Sequence, residues 1–413
     1  MKKFILAFII LIAVFVYYNQ TVKASEKTKE INGASKVKYQ SGMVVEKWGF
    51  IDRTGKVVIE PQFKRAYNFS EGLASVKFKE KEKWGYIDRK GNVVIEPQFQ
   101  WASNFYEGLA VFWNGSKFGY IDKTGKEVIG PMFDLAFGFS EGLAAVELKK
   151  ELGYIDKMGR VIIRPRFDWA SRFYEGLAAV QIDNKYGYID KTGEFVIEPH
   201  FAFTKNFYEG MAAVFVKDKK KWGYIDKSGQ VVIKPEFYRV WPFSEGLAAL
   251  EVQEKLGYIN KKGRVVIEPK FDWSSVIFAV SRPKVIVDKK FSFINVEPRY
   301  VYPENFSEGL AAVYLKEKQK WGYIDKTGKI VIKPEFYRVW PFSDGLAAVY
   351  VKEKEKWGYI DKTGKVVIEP KFDWASRFSE GLARVGVGKK FRNIKSFKLD
   401  LSSNFPKNDR NKS

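Results

Sequence analysis

The chain has 413 residues and a formal net charge of +22; 46% of its residues are hydrophobic and 17% are aromatic. It contains no cysteine and one histidine, His200. Disulfide frameworks and thiolate metal sites are therefore excluded, and a triad or metal site that needs imidazole would have to use that one residue.

The N-terminal segment predicts a secretory signal peptide over residues 1–24. Lys2 and Lys3 precede an apolar run at 4–16, and Val22 and Ala24 place small side chains before a cleavage site. The apolar run is shorter than the roughly 20 residues that a membrane span needs. We therefore expect an exported protein, secreted or at the cell surface, with a linker at 25–40. Retention of the segment as an N-terminal anchor is the alternative.

Residues 41–394 repeat with a fixed spacing, which predicts an array of about ten units. Each unit has a bulky residue, followed by glycine in all units except the one at Phe291, and in eight units the glycine of F-[SY]-E-G lies 24 residues later. The gap to the next unit is 10 or 12 residues, never 11. Because strand side chains alternate between faces, this parity predicts a regular antiparallel hairpin. The first landmark falls at Trp48, Trp84, Phe118, Leu152, Tyr186, Trp222, Leu256, Phe291, Trp321 and Trp357.

One unit predicts three strands, at 73–78, at 84–88 and after the turn that follows, with Pro97 ending the ladder. The unit near 281–309 is degenerate, because its two landmarks are only 18 residues apart. Residues 395–413 form a polar tail. No segment after the signal peptide shows a helical period.

The repeated polar residues are interpreted as architecture. The motif D-[KR]-x-G resembles the D-T-G of an aspartic protease, yet it recurs in series from Asp52 onward, with Asn260 as a substitute. Aspartate suits the start of a type I turn, and glycine suits the left-handed position after it. The glycine after the bulky residue marks a close approach to the backbone, for which we expect a ring of the adjacent unit.

The acid of F-[SY]-E-G recurs in nine units, from Glu71 to Glu380. We expect each acid to accept backbone N–H groups or to pair with lysine, and the glycine after it to adopt a positive φ. A line of calcium sites is the alternative, although calcium takes about six to eight oxygen ligands.

The units K-W-G-[YF]-I-D-K-T-G-K-V-V-I-E-P-x-F, followed by F-S-E-G-L-A-A-V, resemble the WG repeat family, also called KWG repeats. The resemblance implies an all-β repeat array of the kind found in exported or surface bacterial proteins, and no catalytic motif. The units without tryptophan and the degenerate unit at Phe291 depart from the pattern.

Two all-β architectures fit stacked three-stranded units. We favour an open, superhelical or solenoid-like array, since ten units suit a ring poorly and both chain ends resemble caps. At the C-terminal end, Arg392 stands where the next unit would need glycine. The alternative is a closed, β-propeller-like ring.

The favoured function is a non-enzymatic binding or scaffold module at the cell surface, without catalytic residues, cofactors or bound metal. Anionic cell-wall polymer, glycan or a surface protein is the expected partner, with peripheral membrane contact as a further option, and nucleic acid is disfavoured. A cell-wall glycan-processing enzyme or accessory subunit is the alternative. The candidate ligand-contact aromatics, if they are exposed and not part of the core, are Trp101, Trp169, Trp241, Trp273, Trp340 and Trp374.

Overall fold

The computed structural model describes residues 43–272, 284–287, 290–293 and 305–391. All named elements in these ranges are β-strands, and Met43–Lys390 form one compact unit. The predicted signal peptide at 1–24, the linker at 25–40 and the tail at 395–413 lie outside the described residues. A search of the described residues for a helix that is long and apolar enough to cross a membrane finds none.

The strands of the first half are β1 (Met43–Ile51), β2 (Val57–Phe63), β3 (Arg65–Ala66), β4 (Leu73–Lys77), β5 (Trp84–Asp88), β6 (Val93–Phe99), β7 (Trp101–Tyr106), β8 (Leu109–Trp113), β9 (Phe118–Ile121), β10 (Glu127–Phe133), β11 (Leu135–Ala136), β12 (Ala144–Leu148), β13 (Glu151–Ile155), β14 (Val161–Phe167), β15 (Trp169–Ala170), β16 (Ala178–Ile182), β17 (Lys185–Ile189) and β18 (Phe195–Phe201). The strands of the second half are β19 (Phe203–Thr204), β20 (Ala212–Val216), β21 (Lys221–Ile225), β22 (Val231–Phe237), β23 (Arg239–Val240), β24 (Leu247–Val252), β25 (Lys255–Asn260), β26 (Val265–Asp272), β27 (Lys284–Val287), β28 (Lys290–Phe293), β29 (Ala311–Leu315), β30 (Lys320–Ile324), β31 (Ile330–Phe336), β32 (Arg338–Val339), β33 (Ala347–Val351), β34 (Lys356–Ile360), β35 (Val366–Phe372), β36 (Trp374–Ser379) and β37 (Leu382–Phe391).

These strands form small antiparallel sheets, which we call blades. Blade 1 has the order β2-β1-β37-β36, and blades 2 to 6 are β3–β6, β7–β10, β11–β14, β15–β18 and β19–β22. Blade 7 is β23–β26, blade 8 contains β29–β31, and blade 9 is β32–β35. A bridge between Asp272 and Tyr314 joins blades 7 and 8 into one seven-stranded sheet. The all-β class of stacked antiparallel repeats is confirmed.

The glycine after the bulky residue faces a bulge in the same blade. In blade 4, Leu152 pairs with Phe167 and Tyr154 with Ile163, so the fourth strand bulges around Pro165. A Cβ on Gly153 would lie 2.5 Å from the Ile163 carbonyl oxygen and 2.7 Å from the Pro165 nitrogen. The predicted close approach is confirmed, but the expected ring of an adjacent unit is wrong, because the neighbour is the backbone of the same hairpin. Proline likewise does not end the strand; it lies within the bulge.

The D-x-x-G motif forms the predicted turn. In blade 4 the Gly159 amide donates to the Asp156 carbonyl at 3.0 Å, and the Met158 amide donates to Asp156 Oδ1 at 2.9 Å. Gly159 has φ +81°, a conformation that costs glycine little. The same turn occurs at Asp52 and Asp361, near the two ends of the described array.

The first and last units are in contact, which corrects the preference for an open array. Strand β1 lies between β2 and β37, so N-terminal and C-terminal strands together build blade 1. Ser379 Oγ donates to the Phe69 carbonyl at 2.9 Å, the same contact that Ser70 makes with Phe105 between blades 2 and 3. Within Met43–Lys390 the blades therefore form the closed ring that was the alternative, and the strand ends pair with each other instead of forming caps.

Within the residues that the structure describes, the ring has nine blades and not ten units. Ser244 Oγ of blade 7 donates to the Phe306 carbonyl at 2.8 Å, so blades 7 and 8 are neighbours. Phe291, which matches the repeat spacing, pairs with Ile286 in the separate hairpin β27–β28. The sequence between blades 7 and 8 therefore lengthens one connection and does not add a blade.

The core lies between adjacent blades. The tyrosine in the third strand is fully buried in most blades, and its hydroxyl donates to a carbonyl of the next blade 17 residues later. Tyr154 Oη, for example, lies 2.7 Å from the Ser171 carbonyl oxygen, and the Tyr154 ring lies 4.9 Å from that of Phe173. Each buried hydroxyl thus has a partner, which removes the cost of burying it.

Candidate functional site at the aromatic end of the blades

Each blade has two chemically different ends. Leu73 pairs with Asp88, so the F-[SY]-E-G corner and the D-x-x-G turn share one end, which we call the acid end. Lys77 pairs with Trp84, so the bulky residue and the lysine-rich turn share the opposite end, which we call the aromatic end. The same pairing recurs in the other blades, as in Val351 with Lys356.

The acid end carries a circle of nine carboxylates that link the blades. Each carboxylate accepts the N–H of the glycine at the corner of the next blade, at 2.8 to 3.1 Å, and Glu380 accepts that of Gly72. All nine acids have φ between +53 and +55°. The acids are Glu71, Glu107, Glu141, Glu175, Glu209, Glu245, Glu308, Asp344 and Glu380.

Basic side chains neutralise this circle. Lys123 Nζ lies 3.0 Å from Glu71 Oε2 and Lys227 Nζ lies 3.3 Å from Glu175 Oε2, and a lysine or arginine takes the same place in most blades. The predicted structural role of the acids and the positive φ of the glycines after them are confirmed. Within the described ranges, no three His, Cys, Asp or Glu residues are grouped so that they could hold a metal ion.

At the aromatic end, three of the predicted ligand-contact tryptophans belong to the core. Trp101, Trp241 and Trp340 are only 3%, 6% and 7% exposed. The Trp340 indole N–H also donates to the Ala375 carbonyl at 3.1 Å. These three therefore follow the core alternative, because their rings fill the space between blades and do not offer open faces. Trp169 and Trp374 are half-buried, and Trp273 lies outside the described residues.

Trp374 belongs to a cation sandwich at the seam of the ring. The guanidinium carbon of Arg384 lies 4.5 Å from the centre of the Trp48 ring and 4.7 Å from that of Trp374. Arg384 also donates to the Ala66 carbonyl, and burial lowers its pKa to about 10. Sequence reasoning missed this residue, although arginine breaks the pattern at a position where blade 4 has Ala145.

A second feature missed from the sequence is a small notch between blades 8 and 9. It is lined by Tyr314, Gln319, Trp321 and Tyr337 and has a volume of about 80 Å³. The Tyr314 and Trp321 ring centres are 5.4 Å apart, and Tyr337 is 37% exposed. Burial, with smaller contributions from the nearby Tyr337 and Asp272, raises the pKa of Tyr314. We call these four residues the tyrosine notch.

Equivalent positions in two other blades carry different chemistry. In blade 6, Phe215 and Trp222 have the same 5.4 Å separation, but Lys220 stands in place of Gln319 and Tyr238 in place of Tyr337. In blade 9, Tyr350 and Trp357 are 5.6 Å apart, and the acids Glu355 and Asp373 take the two polar positions. The tyrosine notch thus combines two hydroxyls and an amide, and neither of its two polar positions carries the acid found in blade 9.

Comparison with known proteins identifies the repeat. A family model described as WG containing repeat matches nine segments that together span more than half of the chain. The matched segments are 48–81, 84–117, 118–150, 153–186, 186–220, 222–255, 257–277, 321–354 and 357–391. A search of curated proteins finds no match.

Solved structures similar to this chain have low sequence identity. Hsv2p of Kluyveromyces lactis has 9% identity and a TM-score of 0.37, covering 73% of this chain and 93% of that one. AztD of Citrobacter koseri has 13% identity and a TM-score of 0.34, covering 84% and 100%. A catalytically inactive virginiamycin B lyase of Staphylococcus aureus with quinupristin has 14% identity and a TM-score of 0.33, covering 69% and 98%.

Proposed function

The chain belongs to the WG containing repeat family, and from this premise we propose that it is an exported, non-enzymatic binding or scaffold module at the cell surface. Its partner is an anionic wall polymer or glycan, which meets the aromatic end of the ring. The signal peptide predicted at 1–24 supports export, and its retention would tether the ring to the cell.

This proposal rests on a difference in charge between the two ends of the blades: the charges are paired at the acid end, and lysine is in surplus at the aromatic end. At the acid end each of the nine carboxylates accepts a backbone N–H, and basic side chains lie against them. At the aromatic end the turns of blades 6 and 8 carry a surplus of lysine, as in Lys217–Lys221 with one acid among five residues. Such a surface attracts polyanions, and the attraction weakens as salt is added.

A catalytic role would require one acid to differ from its copies. The nine corner acids share one backbone conformation and one kind of partner, so none of them is set apart from its copies. Hydrolysis of wall glycan by the purified protein, abolished by changing one acid, would favour the enzymatic alternative.

The test is a pulldown of the full-length protein with wall fragments and a glycan array, at low and at high salt. We expect binding to acidic wall polymers at low salt that weakens at high salt. Anionic vesicles and duplex DNA are the controls for membrane and nucleic-acid contact. Equal retention of all polyanions regardless of chemistry would reduce the proposal to charge attraction, and no binding to any polyanion would refute it.

A further inference from the structure

We propose that the tyrosine notch binds one sugar ring of an acidic polysaccharide. This inference rests on the proposed function and names the class of ligand and the residues that select it. The notch lies at the aromatic end, because Tyr314 pairs with Trp321 at the end of blade 8 where the lysine-rich turn begins. Tyr337 reaches it from the connection to blade 9.

The lining of the notch has the composition that a sugar requires. Tyr337 offers an aromatic face with 37% exposure, and Trp321, only 1% exposed, packs behind the notch against Tyr314. The hydroxyls of Tyr314 and Tyr337 and the amide of Gln319 supply hydrogen-bonding groups at the rim. An aromatic face with few polar groups beside it is how small polar ligands are oriented in binding sites.

The size of the notch limits the ligand to one ring. Enclosed sites for drug-sized molecules have volumes of roughly 300–1,000 Å³, and the notch has about 80 Å³. This space can take part of a single ring that rests on Tyr337, while the rest of a polymer would extend along the surface. One such contact is weak, so affinity would come from further contacts of the same chain with neighbouring blades.

The charges around the notch favour an acidic sugar over a neutral or cationic one. Lys352 Nζ lies 5.1 Å from the centre of the Tyr337 ring. Lys318, in the turn that carries Gln319, makes no ion pair within the described part of the chain. Two acids of this region are already paired: Glu353, in the turn of blade 9, with Lys320 at 3.1 Å, and Asp272, beside Tyr314, with Lys255 at 2.7 Å. A carboxylate on the sugar would thus meet unsatisfied positive charge.

Two other copies with paired aromatic rings, in blades 6 and 9, differ from the notch in their polar groups. Phe215 in blade 6 lacks the hydroxyl of Tyr314, and Lys220 lacks the acceptor of Gln319. In blade 9, Asp373 is engaged by Lys356 at 2.7 Å and carries the same charge as the proposed ligand. Blade 6 is therefore the matched control, because its two paired rings have the same separation and its rim is different.

The experiment is calorimetry on the full-length protein and three variants, Tyr337→Ala, Tyr314→Phe and Tyr238→Ala. The probes are a hyaluronan hexasaccharide, which alternates acidic and neutral sugars, neutral chitohexaose, and polyglutamate as an anion without sugar. We expect hyaluronan to bind, with roughly tenfold weaker affinity for Tyr337→Ala, equivalent to about 1.4 kcal/mol. Tyr314→Phe keeps the ring, so it tests the hydroxyl without opening a cavity and should weaken binding roughly threefold.

The outcomes separate this inference from the proposed function. Equal weakening by Tyr238→Ala, binding of chitohexaose as tight as that of hyaluronan, or hyaluronan affinity unchanged in both notch variants would overturn the notch as an acidic-sugar site. Binding of polyglutamate alone would also overturn it while leaving an anion-binding module. Failure of all polyanions to bind would overturn the proposed function itself.

Discussion

Closure of the ring predicts that the N-terminal strand protects the C-terminal strand from exchange with solvent. The perturbation is Trp48→Ala on β1. The Trp48 ring lies 5.0 Å from that of Trp374 on β36, at an interplanar angle of 72°, and 4.5 Å from the guanidinium of Arg384 on β37. One substitution therefore removes contacts with both C-terminal strands at once.

The magnitude follows from these two contacts. An edge-to-face ring pair contributes about 0.5–1.5 kcal/mol, and a cation–π contact with a buried guanidinium contributes about 1–2 kcal/mol. Trp48 is only half-buried, so water can fill the space it leaves and we add no cavity cost. The seam should lose about 2 kcal/mol, which corresponds to a roughly thirtyfold increase in the opening equilibrium.

The assay is native-state hydrogen exchange of the amides in β37. We expect faster exchange in Leu382–Phe391 for Trp48→Ala. The matched control is Trp222→Ala at the equivalent position of blade 6, whose ring contacts Phe203 and Phe215 and none of the C-terminal strands. Unchanged protection of β37 in Trp48→Ala, with exchange increased only in β1 and β2, would falsify closure through this seam.

Three further predictions concern the linkage of strands and blades. Gly187→Ala would place a Cβ 2.4 Å from the Ile197 carbonyl oxygen and should lower the free energy of unfolding in urea by about 2–3 kcal/mol; a loss within error of zero contradicts the bulge. Glu175→Gln keeps the acceptor for the Gly210 amide but not its charge, so thermal denaturation should show a loss of about 1 kcal/mol. Burial lowers the pKa of Lys205 to about 8 from 10.5. Between these two pH values the folded state binds fewer protons than the unfolded state, so the free energy of unfolding should rise with pH. Urea midpoints measured across this window should show the rise, and Lys205→Met should remove it.

Local features of the fold could be predicted because their causes lie within a few residues. The turn at Asp156 needs an acceptor at its first residue and a glycine that tolerates φ +81°, and both are visible in the motif. The corner acid of each blade was expected to accept backbone N–H groups, and Glu71 does so from Gly108. The number of residues between landmarks was enough to place both features on strands and turns.

Features that depend on distant segments could not be predicted. Whether blade 9 contacts blade 1 depends on the rotation between successive blades, added over the whole ring. The sequence of a single repeat does not determine that total. Phe291 matched the spacing of the repeat although the acid circle passes directly from Glu245 to Gly309. Arg384 differs from its copies in the sequence, but its partner Trp48 lies at the other end of the chain.

The closed circle of acids also determines where specificity can reside. Each of the nine corners needs an acid at a positive φ and a glycine N–H in the next blade, so a change at any corner affects the joint between two blades. The rims of the aromatic end do not join blades in this way. The turn residue two positions before the tryptophan is Lys220, Gln319 or Glu355 in otherwise similar blades. Substitutions at the aromatic end should therefore destabilise the fold less than substitutions at the acid end. A ring built in this way can acquire a binding site in one blade without disturbing the other eight, which is why we place the ligand at the tyrosine notch and not on the circle of carboxylates.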